Sequence, residues 1–185
     1  MLYTTKQFYT PQLHRDEFDE RALIIDTETV GAGPQIEIIE VALCDSRGEI
    51  IFDTLVRPTF NPLPTPSKHK RFAREEFEAA PHWPDVWPRL APLVEGKLLI
   101  AYNAAFDRRA LAATCARFRQ RSEERGWRCA LQLVKQSLGM KKSLTLSDAC
   151  ALYGVEGGNH RAARDVLAVY VLLKAVLSSA SERTT

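Results

Sequence analysis

"ALIIDTET", residues 22–29, opens with four apolar residues and then sets Asp26 and Glu28 two apart. An apolar run of this length is what a strand buried in a sheet requires. Residues two apart on a strand point to the same face, so the two carboxylates would stand side by side. Like charges that close repel, and burying them without a partner is costly. A divalent cation is the usual remedy, and hard cations such as Mg²⁺ take carboxylate oxygens. The plainer alternative is that the strand has emerged into solvent.

Working outward, IEIIEVALCD (36–45) and EIIFDTLVRP (49–58) alternate as strands, joined by the turn SRG. NPLPTPSKHK (61–70) is a proline-rich loop, residues 73–79 a short helix, and Trp83 to Val94 a helix interrupted by prolines. KLLIAY (97–102) is a second buried-strand signal, 105–125 a long helix, and WRCAL (127–131) a short strand. Residues 144–154 form a helix closed by Gly154, and the last helix runs from about Arg161 to Leu177. Strands with interposed helices and one early hairpin predict an α/β fold, a mixed sheet of about five strands flanked by helices.

A chain of 185 residues, 45% of them hydrophobic, suits one soluble domain. The expected division is an extension over 1–20, a domain over 21–178 and a tail over 179–185. No apolar run has bilayer-spanning length, and the polar N-terminus has no signal-peptide core, so the cytoplasm is the expected location. Cys44, Cys115, Cys129 and Cys150 match no metal or redox spacing and read as reduced packing residues. Net charge is +2, but residues 1–95 carry 10 basic and 16 acidic side chains while 96–185 carry 15 and 7. Arg108, Arg109, Arg117, Arg119, Arg121, Arg125 and Arg128 form a basic run, either a solvated face or a track for a polyanion.

Two further acids sit where ligands gather. Asp107, in "LLIAYNAAFDRRAL", follows the second buried strand and opens a helix. That position is either a helix-dipole partner or the crevice at the carboxyl ends of the strands. Asp165 lies within the apolar helix "RDVLAVYVLL", with Arg161 four residues earlier as a candidate ion-pair partner. His160 is five residues before Asp165. On one ideal helix the pair would diverge by about 140°. Gly157, Gly158 and Asn159 place His160 on a loop instead, free to face what Asp165 faces, unless it is an ordinary polar loop residue.

The ordered series "IIDTET", "AYNAAFD" and "NHRAARD" resembles the DnaQ-like (DEDDh) 3′–5′ exonuclease family over roughly 21–178. The resemblance implies a ribonuclease H-like fold. It implies two divalent ions, Mg²⁺ or Mn²⁺, bridged by Asp26, with Glu28 and Asp165 on the nucleophile side and Asp107 on the other. His160 would be the general base. Substrate binding falls to Thr29, Asn103, Phe106 and Arg161, with Phe106 a stacking wedge or a core residue. The implied activity releases nucleoside 5′-monophosphates from single-stranded DNA 3′ ends, with proofreading and repair as settings. The alternatives are an exoribonuclease and a non-catalytic nucleic-acid-binding or polymerase-associated module. A polymerase or repair partner and a homodimer stay open. Two features depart from the family: Tyr102-Asn103-Ala104 replaces His-Asn-Ala, and "KHKRFARE" stands where many relatives have His-Gly-Ile-Thr.

Overall fold

A computed structural model describes residues 13–63 and 72–182. Most of the predicted proline-rich loop, the first part of the N-terminal stretch and the last three residues lie outside the described residues.

Strand β1 (Ala22–Val30) is central. It pairs antiparallel with β2 (Glu37–Asp45), which pairs antiparallel with β3 (Ile50–Leu55). On its other side β1 runs parallel to β4 (Leu98–Ala101), and β4 parallel to β5 (Gly126–Cys129). The order β3-β2-β1-β4-β5 is the mixed five-stranded sheet that the early hairpin predicts. Ala22 to Ile25 are fully or nearly fully buried, as an uninterrupted apolar run requires of a strand covered on both faces.

Around the sheet lie α1 (Arg74–Ala79), α2 (Trp83–Val94), α3 (Ala104–Arg117), α4 (Ala130–Ser137), α5 (Leu146–Leu152) and α6 (Ala162–Glu182). Consecutive residues of β1 show how α3 and α6 are arranged. Thr27 meets Asp107 of α3, whereas Glu28 groups with Asp165 of α6. Neighbouring strand residues face opposite ways, so the two helices cover opposite faces.

Three elements differ from expectation. The prolines do not interrupt α2: Pro84, Pro88 and Pro92 recur every fourth residue on its exposed side. The carbonyls they leave unpaired face water, and Trp83, Val86, Trp87, Leu90 and Val94 pack inward. Helix α3 stops at Arg117 rather than reaching 125. Arg119 takes a left-handed backbone (φ 56°), and the amides of Arg119 and Gln120 bond the carbonyls of Ala116 and Cys115. This is a Schellman closure with arginine where glycine is usual. Helix α4 was not anticipated; it begins directly after β5.

The four cysteines are buried and free, as expected of packing residues. Leu13 is buried in the core, Phe18 packs on Tyr170, and Glu17 pairs with Arg128, which takes that arginine out of the basic run. Among the described residues no helix is long and apolar enough to cross a membrane.

Candidate active site

Parallel pairing between β1 and β4 covers only Ala22–Ile24. Beyond it β1 has an open edge, and the next outward backbone groups need partners. Asp107 supplies one. After β4 ends, Asn103 begins α3, and Asp107 in its first turn accepts the Thr27 amide (3.0 Å) and hydroxyl (2.9 Å) on Oδ1. The acid is 4% exposed. Burial pushes its carboxyl up to about 7, while the bonds from Thr27 hold it down.

Asp26 is the most crowded carboxylate. Burial raises its pKa well above the usual range, and the charges of Asp107, Asp165, Glu28 and Glu40 push the same way. On the α6 side, ligand atoms of Glu28, His160 and Asp165 all lie within 4.8 Å of one another. The structure therefore brings Asp26, Glu28, Asp107, His160 and Asp165 to one end of β1, from three separate elements.

The loop before α6 explains how His160 reaches that point. Its backbone is left-handed (φ 61°), so it is not part of the helix. Its amide donates to Asp165 Oδ1 at 3.0 Å, turning the loop back over the acid. Glycine is needed two residues earlier: a Cβ on Gly158 would overlap the Asp165 carboxylate.

Arg161 meets a carboxylate that spacing along one helix could not reveal. Its Nε donates to Glu40 of β2 at 2.8 Å, and the Ala162 amide donates to the other oxygen of Glu40 at 2.9 Å. Glu40 is 1% exposed and sits opposite Glu28 in the β1–β2 register. Burial raises its pKa, and Ala162 and Arg161 oppose the rise. Glu40 thus ties the start of α6 to the strand beside the acids. In the sequence it is one of three acids of IEIIEVALCD, with Glu37 and Asp45, and nothing local sets it apart.

The other predicted contacts are spread out. Thr29 follows an irregularity in the β1–β2 pairing, between Glu28 and Thr29, and is half-buried. Asn103 is exposed, and its side chain makes no capping bond. Phe106 is half-buried against the core, with the Arg109 guanidinium 5.7 Å from its ring centroid. Tyr102 is buried, and its hydroxyl donates to the carbonyls of Leu144 and Thr145.

Oxygen donors around a buried, like-charged centre, with an imidazole at the rim, are a donor set for hard divalent cations. A cation would relieve both the desolvation and the mutual repulsion that raise the Asp26 pKa.

Comparison with known proteins agrees with this chemistry. The family model described as RNase_T exonuclease matches residues 23–173. An uncharacterized exonuclease of Escherichia phage 186 is 34% identical over 167 residues, covering 80% of this chain and 82% of the phage protein. The PolC-type DNA polymerase III of Thermotoga maritima is 28% identical over 151 residues; the match spans 80% of this chain and 11% of the polymerase. Among solved structures, exonuclease X in complex with 5′ overhanging duplex DNA superposes with a TM-score of 0.63 at 25% identity, covering 86% of this chain and 93% of that one. A full-length 3′-exonuclease shares the fold with a TM-score of 0.72 at 18% identity, and this chain covers 60% of its length.

Proposed function

The chain belongs to the DnaQ-like 3′–5′ exonuclease family, and on that premise we propose that it removes nucleoside 5′-monophosphates from the 3′ ends of single-stranded DNA. The observation that carries the proposal is the meeting of Glu28, His160 and Asp165 within 4.8 Å. Asp26, Glu28, Asp107 and Asp165 would hold two divalent cations, Mg²⁺ or Mn²⁺. When bound, these neutralise charge on the phosphate and on the attacking and leaving oxygens.

The chain's own residues do the rest. A water oxygen forms the new bond to phosphorus while the P–O3′ bond breaks. His160, exposed at the rim, takes the proton of that water; the departing 3′ oxygen acquires one from solvent. Asp165 holds the His160 loop through its backbone amide, which fixes where the imidazole stands. Thr27 fixes the Asp107 carboxylate through two bonds to one oxygen, leaving the other to face a cation. DNA is preferred over RNA because the polymerase relatives and exonuclease X, as named, concern DNA. Association with a polymerase or repair protein is part of the same proposal.

End-labelled single-stranded DNA and RNA of one sequence, incubated with Mg²⁺, Mn²⁺ or chelator, test it. The expected result is a ladder of 3′-shortened DNA products that needs metal and disappears in Asp26→Asn. Faster shortening of RNA would make the protein an exoribonuclease. Metal-dependent binding without any shortening would make it a non-catalytic module.

A further inference from the structure

Phe60 is the most conspicuous side chain that the catalytic chemistry leaves unused. It is 55% exposed, yet the loop carrying it is held by a buried acid. The Glu37 carboxylate, 2% exposed, accepts the amides of Thr59 (2.9 Å), Phe60 (3.0 Å) and Asn61 (2.7 Å) and the Asn61 side-chain amide (2.7 Å). Asn61 also donates to the Gln35 carbonyl at 2.8 Å. A loop tip fixed by so many bonds presents its aromatic ring at little entropic cost on binding.

Among the described residues, the ring's side-chain neighbours are cationic and aromatic. The Arg117 guanidinium lies 4.3 Å from its centroid, and the Phe118 ring is 5.6 Å away at 41°. Arg119, next along, is exposed. Glu37 is the acid beneath, and its charge is turned inward to the loop amides. A stacking face beside arginines is the chemistry that single-stranded nucleic acid selects.

Two elements connect this patch to the acids. Glu37 pairs with Val30, two residues beyond Glu28 on β1. Along helix α3, Asp107 and Arg117 are ten residues, or about 15 Å, apart. At about 3.4 Å per stacked nucleotide that is roughly four nucleotides.

We propose that Phe60 and Arg117 form an upstream subsite, which stacks a base of single-stranded substrate about four nucleotides from the 3′ end. The proposal rests on the reading that the protein acts on single-stranded ends. It accounts for part of the basic run: Arg117 serves the subsite, Arg109 lies over Phe106, and Arg128 is held by Glu17.

The test compares thymidine 3-mers with 12-mers, by fluorescence anisotropy in chelator and by Mg²⁺-dependent cleavage. Phe60→Ala is expected to weaken 12-mer binding and raise its KM about tenfold, the scale of one lost base–aromatic stack. The 3-mer and kcat should be unchanged. Phe60→Trp should restore the wild-type length preference. Phe60→Leu, which keeps an apolar contact to Phe118 without a π face, should behave like Phe60→Ala and carries the test should the alanine variant misfold. Equal behaviour of 3-mer and 12-mer in all variants, or wild-type behaviour of Phe60→Leu, overturns the subsite and returns Arg117 to a solvated face. A wild-type protein that binds with this length dependence but cleaves neither oligomer supports the subsite and removes the exonuclease reading.

Discussion

His160 occupies a left-handed backbone position that histidine tolerates better than most side chains. Its place is set by the amide bond to Asp165 and by the missing side chain of Gly158. Removing the imidazole should leave that backbone arrangement intact. His160→Ala is expected to slow single-turnover cleavage about 10²–10⁴-fold, the usual range for a general base, with the cation-induced rise in Tm retained. Normal turnover in this variant would deny His160 that role. Gly158→Ala acts differently, because its new methyl must displace the Asp165 carboxylate or the loop. Turnover should fall about 10²-fold, the effect of an ångström-scale misplacement. An unchanged rate would mean that the loop re-forms at no catalytic cost. The glycine pair and the histidine were both readable as a loop before a helix. The direction in which that loop folds was not, because the bond that directs it goes to Asp165 rather than to an adjacent residue.

At the scale of elements, the start of α6 and the end of α3 decide the site's geometry. Glu40 joins β2 to α6 through Arg161 and Ala162. Glu40→Gln removes a buried charge that both donors use. We expect a loss of about 1–3 kcal/mol, because the amide NH2 that replaces one oxygen leaves either Arg161 Nε or the buried Ala162 amide without its acceptor. A lower urea midpoint with an unchanged slope would show it, and an unchanged midpoint would count against the tie. Helix α3 ends on a strained residue. Arg119→Gly should raise stability by about 1 kcal/mol, since a left-handed conformation costs about that much for a side chain. A lower Tm would mean that the Arg119 side chain contributes more than its backbone costs. Alternation and apolar runs made the five strands legible, and Gly154 marked the end of α5. The α3 boundary was hidden because a Schellman closure normally announces itself with glycine. The bounds of α2 were legible but its continuity was not, because prolines usually break helices, and here their spacing of four keeps them on the wet side.

For the whole molecule, the clustered carboxylates link stability to pH and metal. An acid whose folded pKa exceeds its unfolded value binds protons more tightly when folded. Its contribution to stability is complete below the unfolded pKa and is lost as pH rises to the folded one. For Asp107 that window runs from 3.8 to about 7, and Asp26 is shifted the same way. Metal-free protein should therefore lose thermal stability between about pH 4 and pH 7. Millimolar Mg²⁺ or Mn²⁺ should raise Tm more at pH 8 than at pH 5, since protons and cations compete for the same oxygens. A cation effect independent of pH, or a metal-free Tm that climbs across that window, would separate these acids from cation binding.

The chain's own order of residues determined the α/β class, the mixed sheet and the five residues proposed for catalysis. The class and the sheet rest on local signals, since a buried strand shows as an apolar run; the five residues rest on their order along the chain and its resemblance to a family. Tertiary structure alone decided what supports them. Glu40 reaches Arg161 across 121 residues, Asp107 fills an edge that exists only because β4 stops short, and Glu37 holds Phe60 from another strand. Hydrogen bonds between distant segments leave no periodicity behind, since each partner alone is an ordinary polar residue until the sheet places them together.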